Sequence, residues 1–331
     1  MWGPRRAPPG WRAAGPRRRN LPGRGLTAML RVTDDRNREL TFGRAPTRVV
    51  SLVPSDTLSV ADLGAGHALV ACTDYCELPT DLVAKLPRIG GTKNPRVDEI
   101  IALEPDLILA NQEENTRGDL EKLAAAGFRV FVAFPKRVID GIAHLARLAR
   151  IFHRDREPEV RALLRAGYQA MQQAEAARGV EAPVSVFCPI WMDPLMTIHG
   201  ETFISDMLRI AGADNVFFDR ERRYPLAADL GMRVPRIFES RHTSRDVRYP
   251  RVTLEELATR DPDLILLPSE PHPFGEADAA VFAGVPSPSG KRRHIVSCDG
   301  KDLCWYGSRS VEGIGRTRAL VDASRKTGLS G

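Results

Sequence analysis

The chain is short of cysteine, of aromatic residues and of long apolar runs, and each shortage excludes a class of protein. The five cysteines are Cys72, Cys76, Cys188, Cys298 and Cys304. An odd number at scattered spacing is no disulfide scaffold. Cys72-x3-Cys76 and Cys298-x5-Cys304 are not zinc spacings, and no His-x3-5-His pair follows them. Free thiols suit a reducing compartment. No stretch approaches the roughly 18 consecutive apolar residues of a membrane span, so no membrane insertion is expected. Gly-x-Gly-x-x-Gly, the Walker loop, Gly-x-Ser-x-Gly and His-Glu-x-x-His are all missing. The common nucleotide, serine-hydrolase and zinc-protease signatures are therefore absent, and neither a catalytic set nor a protein-held metal is expected.

Acidic residues are missing from the first 33 positions, which hold Arg5, Arg6, Arg12, Arg17, Arg18, Arg19, Arg24 and Arg31. The whole chain carries a net charge of +6, and without those eight arginines the remainder stands at −2. The basicity is thus a tail and not a property of the body. We read it as a solvated extension, or as a start placed ahead of a true start at Met29, and expect no nucleic-acid partner. A secretory signal needs an apolar run of roughly 7–15 residues behind its basic region. None follows Arg17-Arg18-Arg19. As written the chain is expected in the cytoplasm, or in the periplasm if a true N-terminus is missing.

What is present is a repeating α/β pattern. Its 331 residues, 43% apolar and 27% charged, suffice for two domains. Short β-branched runs alternate with helical stretches stopped by glycine, which argues for parallel sheets. Arg48–Val53, His67–Cys72, Leu107–Ala110 and Arg129–Ala133 read as strands, and Ser55 or Asp56 is expected to cap a helix running to Leu63. From Val138 to Arg178 the strand signal vanishes, and apolar residues recur at helical spacing, giving a short helix and then a long one. The first pattern then returns. Val184–Pro189 mirrors Val49–Pro54, and Glu255–Leu267 echoes Asp98–Leu109 almost residue for residue. A repeat of this length means two copies of one lobe. The expected division is a basic disordered tail over 1–39, an N-terminal lobe over 40–137, linking helices over 138–180 and a C-terminal lobe over 181–325. The second lobe carries an Arg-rich insertion near 219–249, either a basic lip over an acidic ligand or a solvated loop.

In open α/β sheets ligands sit beyond the carboxyl ends of the strands, so two such lobes face one another across a cleft. Segments that follow strands supply the candidates: Ser55, Tyr75, Cys76, Asn111 and Glu113 in the first lobe, with Lys93 and Asn94 on a neighbouring loop. The second lobe supplies Trp191, Asp193, His199, Phe274, Trp305 and Tyr306. Aromatics are only 6% of the chain, yet five of them fall in these segments. Flat apolar walls with a few polar groups suit a small-molecule pocket.

Glu104-Pro105-Asp106-Leu107-Ile108-Leu109, and the run from Thr202 to Phe217 containing Met207-Leu208 and Ala211-Gly212-Ala213, resemble the cobalamin and iron-siderophore binding proteins of ABC importers, also called helical-backbone metal receptors. The likeness spans about Arg48 to Ala323. Thr73-Asp74-Tyr75-Cys76, Gly90-Gly91-Thr92-Lys93-Asn94-Pro95, Ala110–Asn115 and Cys304-Trp305-Tyr306-Gly307 look like a subgroup labelled cobalamin-binding. The resemblance implies a class III periplasmic-binding fold: two Rossmann-like lobes with parallel sheets, joined by one long backbone helix. It implies no catalysis, a cobalamin or other metal chelate (ferric siderophore or haem) as ligand, a monomer, and an ABC permease docked through acidic residues of each lobe. Glu113 and Glu114 are the candidates on the first lobe, Glu270 and Glu276 on the second. Asn111 stands where some cobalamin binders carry an aromatic. Two rival readings share the pattern: a cytosolic corrinoid or haem binder or sensor, and a two-lobed α/β enzyme such as a metal chelatase. A metal held by Cys76, His199 and Glu201 would need the fold to bring them together.

Overall fold

The structure, a computed structural model, describes residues 29–178, 180–234 and 246–328. Three of the tail's basic-run arginines, Arg17, Arg18 and Arg19, lie outside the described residues. The chain opens with an antiparallel hairpin, β1 (Leu30–Thr33) and β2 (Glu39–Phe42). This places a strand inside the stretch 1–39 expected as tail. The reason is alternation: Val32, Leu40 and Phe42 are buried, while Arg31 and Thr33 point outward. The hairpin is tied down by Asp34, whose carboxylate accepts from the amides of Arg36 and Arg38, and by the Asp35 amide, which donates to Val132 O at 3.0 Å.

The first lobe contains β3 (Val49–Ser51), α1 (Pro54–Asp62), β4 (Leu69–Cys72), α2 (Thr80–Val83), α3 (Val97–Ala102), β5 (Leu107–Asn111), α4 (Arg117–Ala125) and β6 (Val130–Ala133). Helices α5 (Val138–Ile151) and α6 (Pro158–Arg178) follow. The second lobe has β7 (Val184–Phe187), a small hairpin of β8 (Trp191–Met192) and β9 (Leu195–Met196), α7 (Phe203–Ile210), β10 (Ala213–Asn215) and α8 (Leu226–Asp229). It is completed by α9 (Leu254–Arg260), β11 (Leu264–Pro268), α10 (Glu276–Ala283), β12 (His294–Cys298), α11 (Gly300–Cys304) and α12 (Ser308–Gly328).

Both sheets are parallel and four-stranded, in the orders β4-β3-β5-β6 and β10-β7-β11-β12. Numbered within each lobe, that is the same order, second-first-third-fourth, so the sequence repeat is a repeat of topology. It extends to single residues. Glu104 and Asp261, equivalent in the repeat, both take left-handed φ, 47° and 45°. Asp106 and Asp263 each donate an amide to the strand alongside, to Arg48 O and Ser185 O. The ladder corrects one alignment: Leu107 faces Val49, whereas Leu264 faces Val186 and not Val184. The mirror of β3 is thus shifted by two residues, a slip that keeps every side chain on its own face.

Alternation also splits the cores. Val49, Leu107, Leu109 and Phe131 join β1, β2 and the Leu145–Leu148 part of α5 in one cluster. Val50, Ile108, Ala110 and Val132 belong to another, which continues without a break into Val186, Leu266, Ile142, Met171, Ile314 and Val321. The lobes therefore share a core across α5, α6 and α12. The pattern gives a short helix and then a long one, and the resemblance implies one long backbone helix. At 21 residues α6 is that helix, about 30 Å long, but the equally long α12 runs with it and also packs on α1 and α5 of the first lobe. The close crossing is made at glycine: a Cβ on Gly167 would meet Ile142 and Val311 at 3.3 Å.

The junction holds a second glycine with a sharper demand. Gly307 has φ of +84°, and a Cβ there would drive into Ser59 Oγ of the other lobe. Gly307→Ala should cost about 1–3 kcal/mol, from backbone strain and the displaced serine, and a thermal melt measures it. A variant melting with the wild type would remove this contact from the lobe junction.

Candidate functional site

The carboxyl edges of the two sheets face each other, as contacts between the loops that leave them show. After β4, Glu77 pairs with Lys301, which follows β12, at 3.2 Å. After β5, Glu113 accepts from Arg248 at 2.6 Å and from the Tyr249 hydroxyl at 3.0 Å. On the segments that leave β4 and β7 two large rings stand open to solvent, Tyr75 at 62% and Trp191 at 44% exposure.

On the first lobe the fold gathers Tyr75, Lys93, Asn94 and Glu113. A Cβ on Gly91 would touch both the Tyr75 ring at 3.2 Å and Asn94, so glycine lets that loop lie flat under the ring. Lys93 Nζ donates to the Glu113 carbonyl. On the second lobe Trp191, His272 and Phe274 form an edge-to-face stack with centroids 5.4 and 4.5 Å apart. The Trp191 indole donates to Asp193 O at 3.0 Å, so the short β8–β9 hairpin holds the ring rigid.

Other candidates have different surroundings. Asn111 is buried, its carboxamide oxygen taking the amides of Glu113 and Glu114 at 2.7 and 3.2 Å, so it shapes the loop rather than facing the cleft. Trp305 and Tyr306 are buried at 5% and 4% exposure, Tyr306 against Phe203 and His144 at the lobe junction. Ser55 lies in the first turn of α1, which starts at Pro54. Neither Ser55 nor Asp56 caps that helix, because proline at its first position needs no donor and frees Asp56 to turn inward. Cys76 is buried beside Thr57 and Thr73 in the first lobe, whereas His199 Nδ1 accepts from the Glu201 amide ahead of α7 in the second. The fold thus places those three in different lobes. Among the described residues no group of three or more His, Cys, Asp or Glu is arranged to hold a metal ion.

Pattern reading missed the residues that bridge the lobes. Asp56, fully buried, accepts from Tyr306 Oη at 3.2 Å and pairs with His144 Nε2 at 2.7 Å. His144 Nδ1 is 3.4 Å from Arg147, which can only donate, so Nδ1 accepts and Nε2–H donates to Asp56. Arg147 then grips Asp35 in the β1–β2 turn at 2.6 and 3.0 Å. Only the run of helical spacing at Ile139–Ala149 hinted that His144 turns inward.

The Arg-rich insertion divides. Arg220 is buried, bonding Asp229 and Glu256 at 3.0 and 2.9 Å, and so braces α8 and α9. Arg236, Arg241 and Arg245 lie outside the described residues. Among the described residues of the insertion, Arg248 reaches the first lobe, between Glu113, Asp246 and the Phe134 ring. A charged cavity of about 680 Å³ opens to one side, at the starts of α5 and α7, lined by Lys136, Asp140, Glu201 and Arg209. None of the cleft aromatics lines it.

Burial pushes the Glu113 carboxyl above its ordinary value, against the opposing pull of Arg248 and the Tyr249 hydroxyl. A raised folded-state pKa favours the protonated folded form. Its stabilisation is complete below the unfolded pKa and is lost as pH rises through the folded one. Glu113→Gln copies the protonated group and leaves Arg248 its partner Asp246. Urea midpoints of variant and wild type should coincide in acid, and the variant should be the more stable at neutral pH. Equal midpoints at both would show that Glu113 pays no cost of burial.

The sequence profile described as "Periplasmic binding protein" matches residues 49–279, more than half of the chain. The chain belongs to the periplasmic binding protein family. Curated relatives include the vitamin B12-binding proteins of Photorhabdus laumondii, 29% identical over 224 residues, 67% of this chain and 71% of that one, and of Yersinia pestis, 29% identical over 227 residues, 68% and 70%. Among solved structures, the periplasmic vitamin B12 binding protein BtuF of Vibrio cholerae superposes with a TM-score of 0.65 at 19% identity, covering 85% of this chain and 98% of that one. The periplasmic haem-binding protein BhuT, in complex with two haems, gives 0.64 at 22% identity, covering 85% and 99%. These likenesses establish the class III fold that the family resemblance implies. Among the described residues no helix is long and apolar enough to cross a membrane.

Proposed function

We propose that this protein binds a corrinoid, cobalamin foremost, in the cleft between its lobes, as the substrate-binding component of an ABC importer. The observation that carries the reading is the pair of exposed rings, Tyr75 and Trp191, one from each facing edge. A macrocycle has a broad flat face, and an open aromatic on each side offers apolar contact at low entropic cost. Lys93, Asn94 and Lys301 supply donors around the rim for the ligand's amide oxygens. The vitamin B12-binding relatives support the same ligand class. Of the docking residues, Glu113 and Glu270 are engaged by Arg248 and Lys301, while Glu114 and Glu276 are exposed. We assign permease docking to Glu114 and Glu276. A binding role of this kind uses no catalytic group.

Haem is the second reading, favoured by structural neighbours that bind it. Haem iron needs an axial donor from the protein, and the exposed phenol of Tyr75 is the candidate for it. Titration with cyanocobalamin, haem and a ferric siderophore by calorimetry separates the cases. A one-to-one cobalamin isotherm, micromolar or tighter and indifferent to Tyr75→Phe, supports the corrinoid. Haem binding whose absorption spectrum changes in Tyr75→Phe replaces cobalamin by haem. Heat from none of the three overturns the cleft as a chelate site.

A further inference from the structure

We propose that Arg222 and Arg251 form an anion subsite of the cleft, which takes a negatively charged oxygen group of the bound ligand, a phosphodiester or a carboxylate. This subsite rests on the proposed corrinoid cleft and adds the charge that its ligand carries. Both arginines are half-buried, and the Nε of each is buried without a hydrogen-bond partner. Arg147, Arg293, Arg309 and Arg325 also have a bare Nε, but each of those guanidiniums grips a carboxylate through another nitrogen. Among the described residues no carboxylate lies in salt-bridge range of Arg222 or Arg251. The nearby acids are already taken, Asp229 by Arg220 at 3.0 Å and Asp246 by Arg248 at 2.6 Å.

The backbone holds the pair together. One oxygen of Asp229 accepts from the Arg223 amide and the other from the Arg251 amide, both at 2.8 Å, so the two arginine-bearing segments meet at one carboxylate. The Arg222 amide donates to Val247 O at 2.7 Å, and its guanidinium lies 4.8 Å from the centre of the Tyr224 ring. The Tyr224 hydroxyl is fixed in turn, donating to Asp246 O at 2.9 Å. The two cations are near enough to repel. Burial, and then the charge of Arg222, lowers the Arg251 guanidinium below its ordinary value. Burying a charge without a partner is costly, and a like charge beside it adds to the cost. An anion that reaches both removes the two penalties together, and the planar guanidinium fork matches carboxylate and phosphate oxygens.

The register of a small ribbon places the pair beside the exposed tryptophan. Residues 250–252 run along the β8–β9 hairpin as a third strand: Thr197 N donates to Pro250 O and Val252 N to Leu195 O, both at 3.0 Å. Trp191 stands opposite Met196, and Met196 opposite Arg251, in antiparallel register. Opposed residues share a face. The other face carries Met192, Leu195 and Val252, which pack in the second lobe's core. Arg251 therefore lies on the Trp191 face, two strands away, at about 10 Å between Cα atoms. A macrocycle lying on Trp191 extends that far, and a charged group at its edge meets Arg251.

The test titrates the full chain with cyanocobalamin, which carries a phosphodiester, with dicyanocobinamide, which has the same ring without it, and with haem, which carries carboxylates. The wild type should bind cyanocobalamin about tenfold or more tighter than dicyanocobinamide. Arg222→Met and Arg251→Met should each erase that preference and leave dicyanocobinamide affinity in place. If the anion is a carboxylate, the same variants lose haem instead, and the two corrinoids bind alike throughout. Affinities for all three ligands unmoved by either substitution would overturn the proposal. If none of the three binds, the corrinoid reading falls by itself, and inorganic phosphate decides the subsite. At equal ionic strength phosphate should raise the melting temperature of the wild type above its value in chloride, and not that of the double variant; a rise shared by both, or by neither, sinks it. In chloride each single variant should melt at or above the wild type, because the empty pair is unsatisfied. A clear drop instead would mean that the arginines serve the fold.

Discussion

Asp56→Ala should lower the free energy of folding by about 2–6 kcal/mol, the cost of leaving two buried donors unsatisfied at about 1–3 kcal/mol each. The carboxylate is the node at which the lobes meet: α1 supplies it, α5 brings His144 to one oxygen, and the turn before α12 brings Tyr306 to the other. Alanine leaves a buried imidazole N–H and a buried hydroxyl without acceptors. Asp56→Asn keeps one acceptor and should cost less, about 1–3 kcal/mol. Urea unfolding followed by tryptophan fluorescence measures both. A midpoint for Asp56→Ala within error of the wild type would mean that the shared apolar core alone joins the lobes.

The second large effect is on binding. Trp191→Ala should weaken cobalamin binding roughly 30-fold or more, the loss of about 2 kcal/mol expected for a central aromatic anchor. Tyr75→Ala should act in the same direction from the other wall. Trp305→Ala is the control: its ring is buried, so it should lower stability by about 3–5 kcal/mol before it changes affinity. Calorimetry alongside thermal melts reads both quantities. Undiminished affinity in both Trp191→Ala and Tyr75→Ala would move the ligand out of the aromatic cleft, with the charged cavity between α5 and α7 the next place to look.

Much of the fold was legible because its signals are local. Glycines at positions 64 and 212 stop equivalent helices with positive φ, and Thr202, placed at the start of its helix, caps it by accepting from Ser205 N at 3.2 Å. Two elements were hidden for opposite reasons. In β1 the exposed arginine and threonine obscured a strand whose inward residues are few. In α12, Gly313 and Gly315 weaken the helical signal, yet Gly313 is required, since a Cβ there would meet Asp302 O at 2.9 Å. Tertiary contact overrides propensity at such a site.

The sequence by itself determined the duplicated α/β topology, the linking helices and the segments that flank the cleft, because periodicity, glycine stops and repeats are properties of neighbouring residues. Only the tertiary structure decided which of five candidate aromatics face solvent and which lock the lobes together. Tyr75 and Trp191 are open, Trp305 and Tyr306 are closed, and Phe274 leans on the second lobe's core. The same holds for Asp56, whose partners lie 88 and 250 positions away. Burial and pairing depend on residues that meet only when the chain has folded, so no local pattern can carry them.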